Sequence, residues 1–322
     1  MLPRIALFTL LAALALPAQD GSHGPPWANV KVASSRSLLF GTGVLQVDFA
    51  AGALDLPADA VLDHIHKAGE AIVAYYGRFP IAHDRMLLVP VEGKSGVFRG
   101  TTWPHHGEFQ SFTRIHIGQH ATRDDLADDW MATHELVHTA FPSLDDDQHW
   151  MEEGQATYIE PVARVMTGEL DAHRIWGDMV RDMPKGEPQP GDEGLNRTHT
   201  WGRTYWGGAL FCLVADVEIR RETHNRKGLQ DALRAVLAEG GAIDQDWPLE
   251  KALAIGDRAT GTPVLTTMYA EWKDKPVTVD LPKLWEELGI RSVAGGGVEF
   301  VANAPLASVR EAITARPNPH VR

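Results

Sequence analysis

From residue 57 to 76 the apolar residues Val61, Ile65, Ala68 and Ile72 recur every three or four positions, which places them on one face of a helix. Pro57 suits its first turn and Gly77 its exit. Upstream, 38–49 reads as strand, with Gly41 and Gly43 marking a turn or bulge. Downstream, 86–91 is a continuous apolar run of strand length, 93–107 a glycine-containing turn region, and 109–117 a strand of alternating character. Beyond that point helical patterns dominate, over 124–140, 150–166, 171–181, 204–221, 229–239 and 281–288. A Pro/Gly-rich loop fills 183–200, and a last strand (298–301) and helix (308–315) close the chain. Strands first and helices later predict an α+β fold, a small N-terminal sheet followed by a mainly helical part.

The first residues follow a different pattern. Arg4 gives a positive start, residues 5–16 are apolar except Thr9, and Pro17 and Ala18 follow. This reads as a signal peptide over 1–18, cut after Ala18, so the protein is expected to be secreted or periplasmic. The apolar run is too short to span a bilayer comfortably, and no stable membrane insertion is expected once it is removed. Residues 19–55 form a leader, Gly-, Pro- and Ser-rich through 35, and a reduced β region; 56–322 is the main domain. Export permits disulfides, but the single Cys212 cannot form one within the chain, and its apolar surroundings assign it to core packing. The net charge of -13 argues against a nucleic-acid partner, which needs a basic surface.

Candidate chemistry begins at His134-Glu135-Leu136-Val137-His138. On a helix the two imidazoles lie on one face and can reach one zinc ion, with Glu135 placed as general base toward water. A zinc that keeps an open position needs a third protein ligand. The segment Trp150-Met151-Glu152-Glu153-Gly154-Gln155-Ala156 offers two adjacent carboxylates that point about 100° apart, so only one can bind. Glu153 is taken as the ligand because Gly154 and Ala156 leave room for close helix approach; Glu152 is read as solvated or supporting. His149 lies in an acidic loop and is given no ligand role. Farther on, in Tyr205-Trp206-Gly207-Gly208-Ala209-Leu210, a phenol opens an apolar helix and can donate to an oxyanion. His199 is a candidate second donor, or simply a loop histidine; His105 and His106 are read as solvated turn residues.

These three segments, in this order, resemble the zinc, third-ligand and catalytic-tyrosine motifs of gluzincin aminopeptidases, nearest to the glycyl aminopeptidase family and more distantly aminopeptidase N. Further likeness lies in Tyr75-Tyr76-Gly77-Arg78-Phe79-Pro80 and in 205–239 and 269–288. The resemblance covers roughly residues 70–290. It implies a thermolysin-like zincin catalytic domain, one zinc per chain on His134, His138 and Glu153, catalysis by Glu135 and Tyr205, and a peptide or protein substrate. Substrate would lie extended beside a sheet edge around 97–103. Three features depart from the pattern: the stretch between His138 and Glu153 is shorter than in aminopeptidase N, Gly207 stands where a lysine is usual, and the glycine-alanine-methionine-glutamate exopeptidase strand has no counterpart. Exo- and endopeptidase action both stay open.

Two other classes compete: a non-catalytic zinc- or peptide-binding module derived from a peptidase, and a zinc hydrolase of a non-peptide substrate. A binder needs neither the base Glu135 nor the phenol of Tyr205, whereas pocket chemistry alone separates the two hydrolases. The export reading has a direct check: N-terminal sequencing of exported protein should begin near Gln19, and Met1 at the terminus of that material contradicts it.

Overall fold

The computed structural model describes residues 30–316 apart from 294 and 296. The segment 1–18, read above as an export signal, lies outside the described residues. The chain opens with a hairpin, β1 (Val32–Phe40) and β2 (Gly43–Ala50), turned through Gly41. The leader expected to run through residue 35 therefore ends sooner, because Val32 already pairs with Ala50. Helix α1 (Ala58–Tyr76) follows, with Pro57 before its first turn and Gly77 closing it, as the apolar spacing predicts. It crosses to β3 (His83–Val91), which pairs parallel to β2. Apolar side chains of α1 such as Val61, Ile65 and Ile72 join Leu45, Val47, Met86 and Ile115 of the sheet in one core.

Two more strands complete the sheet. β4 (Val97–His106) and β5 (Phe109–Gly118) form a hairpin, and β5 pairs parallel to β3. The order is β1-β2-β3-β5-β4, so β4 is an edge. The region 93–107, expected to be a turn, is mostly this strand. Its glycine and proline content hides the alternation, and an edge strand tolerates both because one side of its ladder is free.

The helical part begins with α2 (Arg123–Asp128) and α3 (Met131–His138). The single helix expected over 124–140 is thus two. Asp129 adopts an extended conformation, and its carboxylate accepts from the Met131 and Ala132 amides at 3.0 and 3.3 Å. The side chain caps the new helix instead of continuing the old one. His64 Nε2 of α1 lies 2.8 Å from the same carboxylate, which pins the start of α3 against α1.

Next come α4 (His149–Thr167), α5 (Ala172–Asp182) and α6 (Gly208–Glu222), the last preceded by a widened π-helical turn at Gly202–Gly207. Helices α7 (Leu229–Ala238), α8 (Leu249–Thr260) and α9 (Val264–Trp272) pack behind them. A buried Asp216 joins three of these elements: it accepts from Tyr158, Arg220 and the Leu229 amide at 2.9, 2.8 and 3.0 Å. The chain ends with α10 (Leu281–Leu288), the short hairpin β6 (Ile290–Ser292) and β7 (Val298–Phe300), and α11 (Ala307–Ile313). The result is a mixed α/β protein with a small N-terminal sheet followed by helices. No helix among the described residues is long and apolar enough to cross a membrane.

Asp129→Ala removes the cap of α3 and leaves His64 buried without its partner. The variant should lose about 2–4 kcal/mol of unfolding free energy, combining a lost cap with an orphaned buried group. Urea denaturation at neutral pH checks this; a loss under ~0.5 kcal/mol contradicts the pinning role.

Candidate metal centre

His134 and His138 stand one turn apart on α3, with ring centroids 5.1 Å apart and planes at 82°. Glu153 enters from α4. Its Oε2 lies 3.0 Å from His134 Nε2 and 3.8 Å from His138 Nε2. One ligand atom from each of the three lies within 4.8 Å of the others. A tetrahedral zinc with bonds of ~2.0–2.1 Å holds its ligand atoms roughly 3.3–3.4 Å apart, so the observed separations bracket what zinc requires. Two imidazoles and a carboxylate are also the donor set of an open zinc site. The residues present therefore fit the metal that the sequence implies.

Two glycines set how close Glu153 comes. A Cβ on Gly154 would run into the backbone of Gly208, and a Cβ on Gly208 into the Trp150 carbonyl. Helices α4 and α6 touch through bare backbone at this point. Gly154 follows Glu153 directly, so this contact fixes the depth and rotation of α4 where it faces α3.

The Glu153 oxygens have separate partners. While Oε2 faces the two α3 histidines, Oε1 lies 3.3 Å from His149 Nε2. His149 Nδ1 in turn lies 3.0 Å from Glu152 Oε2, and Glu152 Oε1 accepts from the Leu144 amide at 3.2 Å. Glu152 thus takes the supporting place and is turned away from the donor cluster. His149, given no role above, orients the Glu153 carboxylate; its four-residue spacing to Glu153 on one helix was the available signal. Bonds to Glu152 and Glu153 push the His149 pKa up to about 10. Burial opposes ionisation of Glu153, but His138, His134 and His149 hold it well below the usual carboxylate range. Burial also pushes His138 down to about 4, which keeps its ring neutral and able to ligate.

Glu135 points to the sheet side. Thr102 of β4 donates its hydroxyl to Glu135 Oε2 at 2.7 Å, and Thr102 in turn lies 2.9 Å from the Thr113 hydroxyl on β5. Gly100 faces the same carboxylate so closely that a Cβ there would collide with it. Burial pushes Glu135 up to about 7, opposed by His134 and by the Thr102 hydrogen bond. A carboxyl poised near neutrality suits a group that both takes and returns a proton. Neither Thr102 nor Gly100 is visible as a site residue in the sequence, because each matters only through the strand pairing that brings it here.

Tyr205 sits in the π-helical turn before α6, a feature often found at functional sites. Its ring stacks on that of His134 at 6.3 Å and on Trp201 at 5.9 Å. Burial, then the charges of Glu153 and Glu135, raise its pKa, so the phenol stays a donor. His199 is exposed, lies 3.8 Å from Asp147, and does not line the cleft over the metal donors. His105 is exposed, but His106, expected to be solvated, is buried between the rings of Phe109 and Phe112, because β4 carries it inward. Cys212 is buried in the core. The cleft has a volume of about 530 Å³ and runs between β4 and helices α3 and α4.

No protein-family model matches the chain, and no curated protein does. Solved structures do. An aminopeptidase N family protein from Idiomarina loihiensis superposes with a TM-score of 0.59 at 13% identity, over 80% of this chain and 49% of that one. An M1 zinc metallopeptidase from Deinococcus radiodurans superposes with a TM-score of 0.50 at 16% identity, over 77% of this chain and 53% of that one. The chain shares the fold of these proteins and spans about half their length.

Gly154→Ala tests the glycine contact. The methyl must push α4 off α6, so the variant should lose about 1–3 kcal/mol or more of stability by urea unfolding. An unchanged midpoint means that the two helices are not held at backbone contact.

Proposed function

We propose that this chain is an exported zinc-dependent peptidase of the gluzincin type with a thermolysin-like catalytic fold, related to glycyl aminopeptidases. One zinc per chain is held by His134, His138 and Glu153, and the substrate is a peptide or protein. The observation that carries this reading is the convergence of those three donors beside Glu135, at a cleft bordered by the edge strand β4.

When bound, zinc supplies Lewis acidity that polarises a carbonyl oxygen and acidifies water. Glu135, oriented by Thr102, takes the proton of the attacking water and returns it to the leaving amine. Tyr205 donates its phenol hydrogen to the oxygen of the attacked carbonyl as that oxygen gains charge. His149 keeps Glu153 turned so that one oxygen faces the α3 histidines. The outer side of β4 leaves backbone groups free to pair with an extended peptide, which would then cross the Glu135 carboxylate.

Metal content and turnover measured on the same variants test the roles. His134→Ala, His138→Ala and Glu153→Ala should lose zinc, whereas Glu152→Ala should keep it. His149→Ala should weaken zinc binding by about 10- to 100-fold through the loosened carboxylate. Glu135→Gln should keep zinc and lose about 10²- to 10⁴-fold in turnover. Tyr205→Phe should keep zinc and lose on the order of 10- to 1,000-fold. Zinc-free protein after chelator-free purification, or full turnover in Glu135→Gln, overturns the proposal.

A further inference from the structure

A second cavity, of about 470 Å³, lies beside the metal cleft between α4, α5 and the π-helical turn. Trp130, His134 and Tyr205 border both spaces. Their rings belong to one row. The Trp130 and His134 ring centroids are 5.0 Å apart, edge to face; those of His134 and Tyr205 are 6.3 Å apart, and those of Tyr205 and Trp201 5.9 Å. Lys185 Nζ lies 5.9 and 5.4 Å from the ring centres of Trp201 and Trp206, so one ammonium group holds both indoles. Trp130 is nonetheless 48% exposed and Trp201 61%. Two large rings left this open at one cavity mark a surface that gains from being covered. The charged side chains that line the cavity are already paired. Arg164 donates to Glu160 at 2.8 Å, Arg174 to Asp128 at 3.2 Å, and Arg181 to Asp178 and Asp182, both at 2.6 Å.

We propose that this cavity is a substrate subsite for an aromatic side chain, Phe, Tyr or Trp, close to the bond that is cut. This deepens the peptidase reading and rests on it. His134 is a proposed metal ligand and Tyr205 the proposed oxyanion donor, so a cavity that both border lies within about two residues of the reacting carbonyl. Its volume suits a side chain of this size. Aromatic rings pack offset or edge to face with centroids about 4.5–7 Å apart, the spacing that the row already shows, so an incoming ring gains more than an aliphatic chain of equal area. A charged side chain would lose its water and face charges that already have partners. A small one would leave the rings of Trp130 and Trp201 uncovered.

The test uses zinc-loaded protein and a mixed peptide library read by mass spectrometry, followed by kinetics on matched peptides that differ only in Phe, Leu or Ala at the enriched position. Wild-type protein should enrich Phe, Tyr and Trp at one position within about two residues of the cleaved bond. There kcat/KM for Phe should exceed that for Ala by about 10- to 100-fold and that for Leu by about 2- to 10-fold. Thr157 lines the cavity from α4, and Thr157→Phe fills it. In that variant the Phe/Ala ratio should fall by about 10-fold or more. Trp201→Ala removes one wall and should lower the ratio by about 3- to 10-fold. Each ratio is taken within one variant, so a general loss of activity cancels, and Trp201→Ala decides the matter if the filled variant does not fold. A wild-type protein with no preference near the cut, or with one for charged or small residues, overturns the inference while the peptidase reading stands. So does a Phe/Ala ratio that Trp201→Ala leaves unchanged. If zinc-loaded wild-type protein cleaves no peptide in the library, the peptidase reading fails and this inference with it.

Discussion

A carboxylate that is only 9% exposed must be compensated, and the arrangement around Glu153 follows from that requirement. Three imidazoles surround it, two on its Oε2 and one on its Oε1. Each must arrive from a fixed direction. His149 shares a helix with Glu153 and needs only its four-residue spacing. His134 and His138 belong to another helix, so α3 has to start at the right residue and stand at the right depth. The Asp129 cap and its contact with His64 set the start. Backbone contact between Gly154 and Gly208 sets the depth of α4. A slip of one residue in either helix would leave a buried charge without partners, a far larger penalty than any single packing defect.

The sheet enters through Glu135. Because β5 inserts between β3 and β4, the hairpin leaves β4 as an edge lying along α3. Gly100 lets the strand approach the carboxylate, and Thr102 gives it a donor. The group proposed as the base is thus held by the sheet, whereas the groups proposed as metal ligands are held by helix packing. The cleft lies at the junction of the two. Each of these groups lies within residues 97–208 and is supported by the core beneath.

Sequence periodicity showed α1, α4, α7 and α10 nearly to the residue, because each has an apolar face and a clear stop such as Gly77 or Gly289. The histidine pair was legible because four-residue spacing on a helix constrains side-chain direction strongly, and Glu153 because the small residues Gly154 and Ala156 beside it let its helix approach closely. Other features were hidden for identifiable reasons. The break at Asp129 depends on a tertiary bond to His64, 65 residues away. β4 looked like a turn because Gly100 and Pro104 interrupt its pattern, although one is needed for close approach and the other is tolerated at an edge. Helix α9 begins Val264-Leu265-Thr266-Thr267, in which three of four residues are β-branched, a local preference that packing overrides. His106 faces inward only because the strand turns it there. Thr102 and Gly100 carry no local signature, since their partner lies on another element.

In the proposed function His134, His138 and Glu153 form a single zinc site. Anomalous diffraction at the zinc edge, from crystals of protein purified without chelator, tests it directly. One strong peak should lie at about 2.0–2.2 Å from His134 Nε2, His138 Nε2 and one Glu153 oxygen, with Glu152 out of contact. A peak held by Glu152 in place of Glu153, a peak elsewhere in the molecule, or no peak in protein that refines with these side chains in place would contradict it.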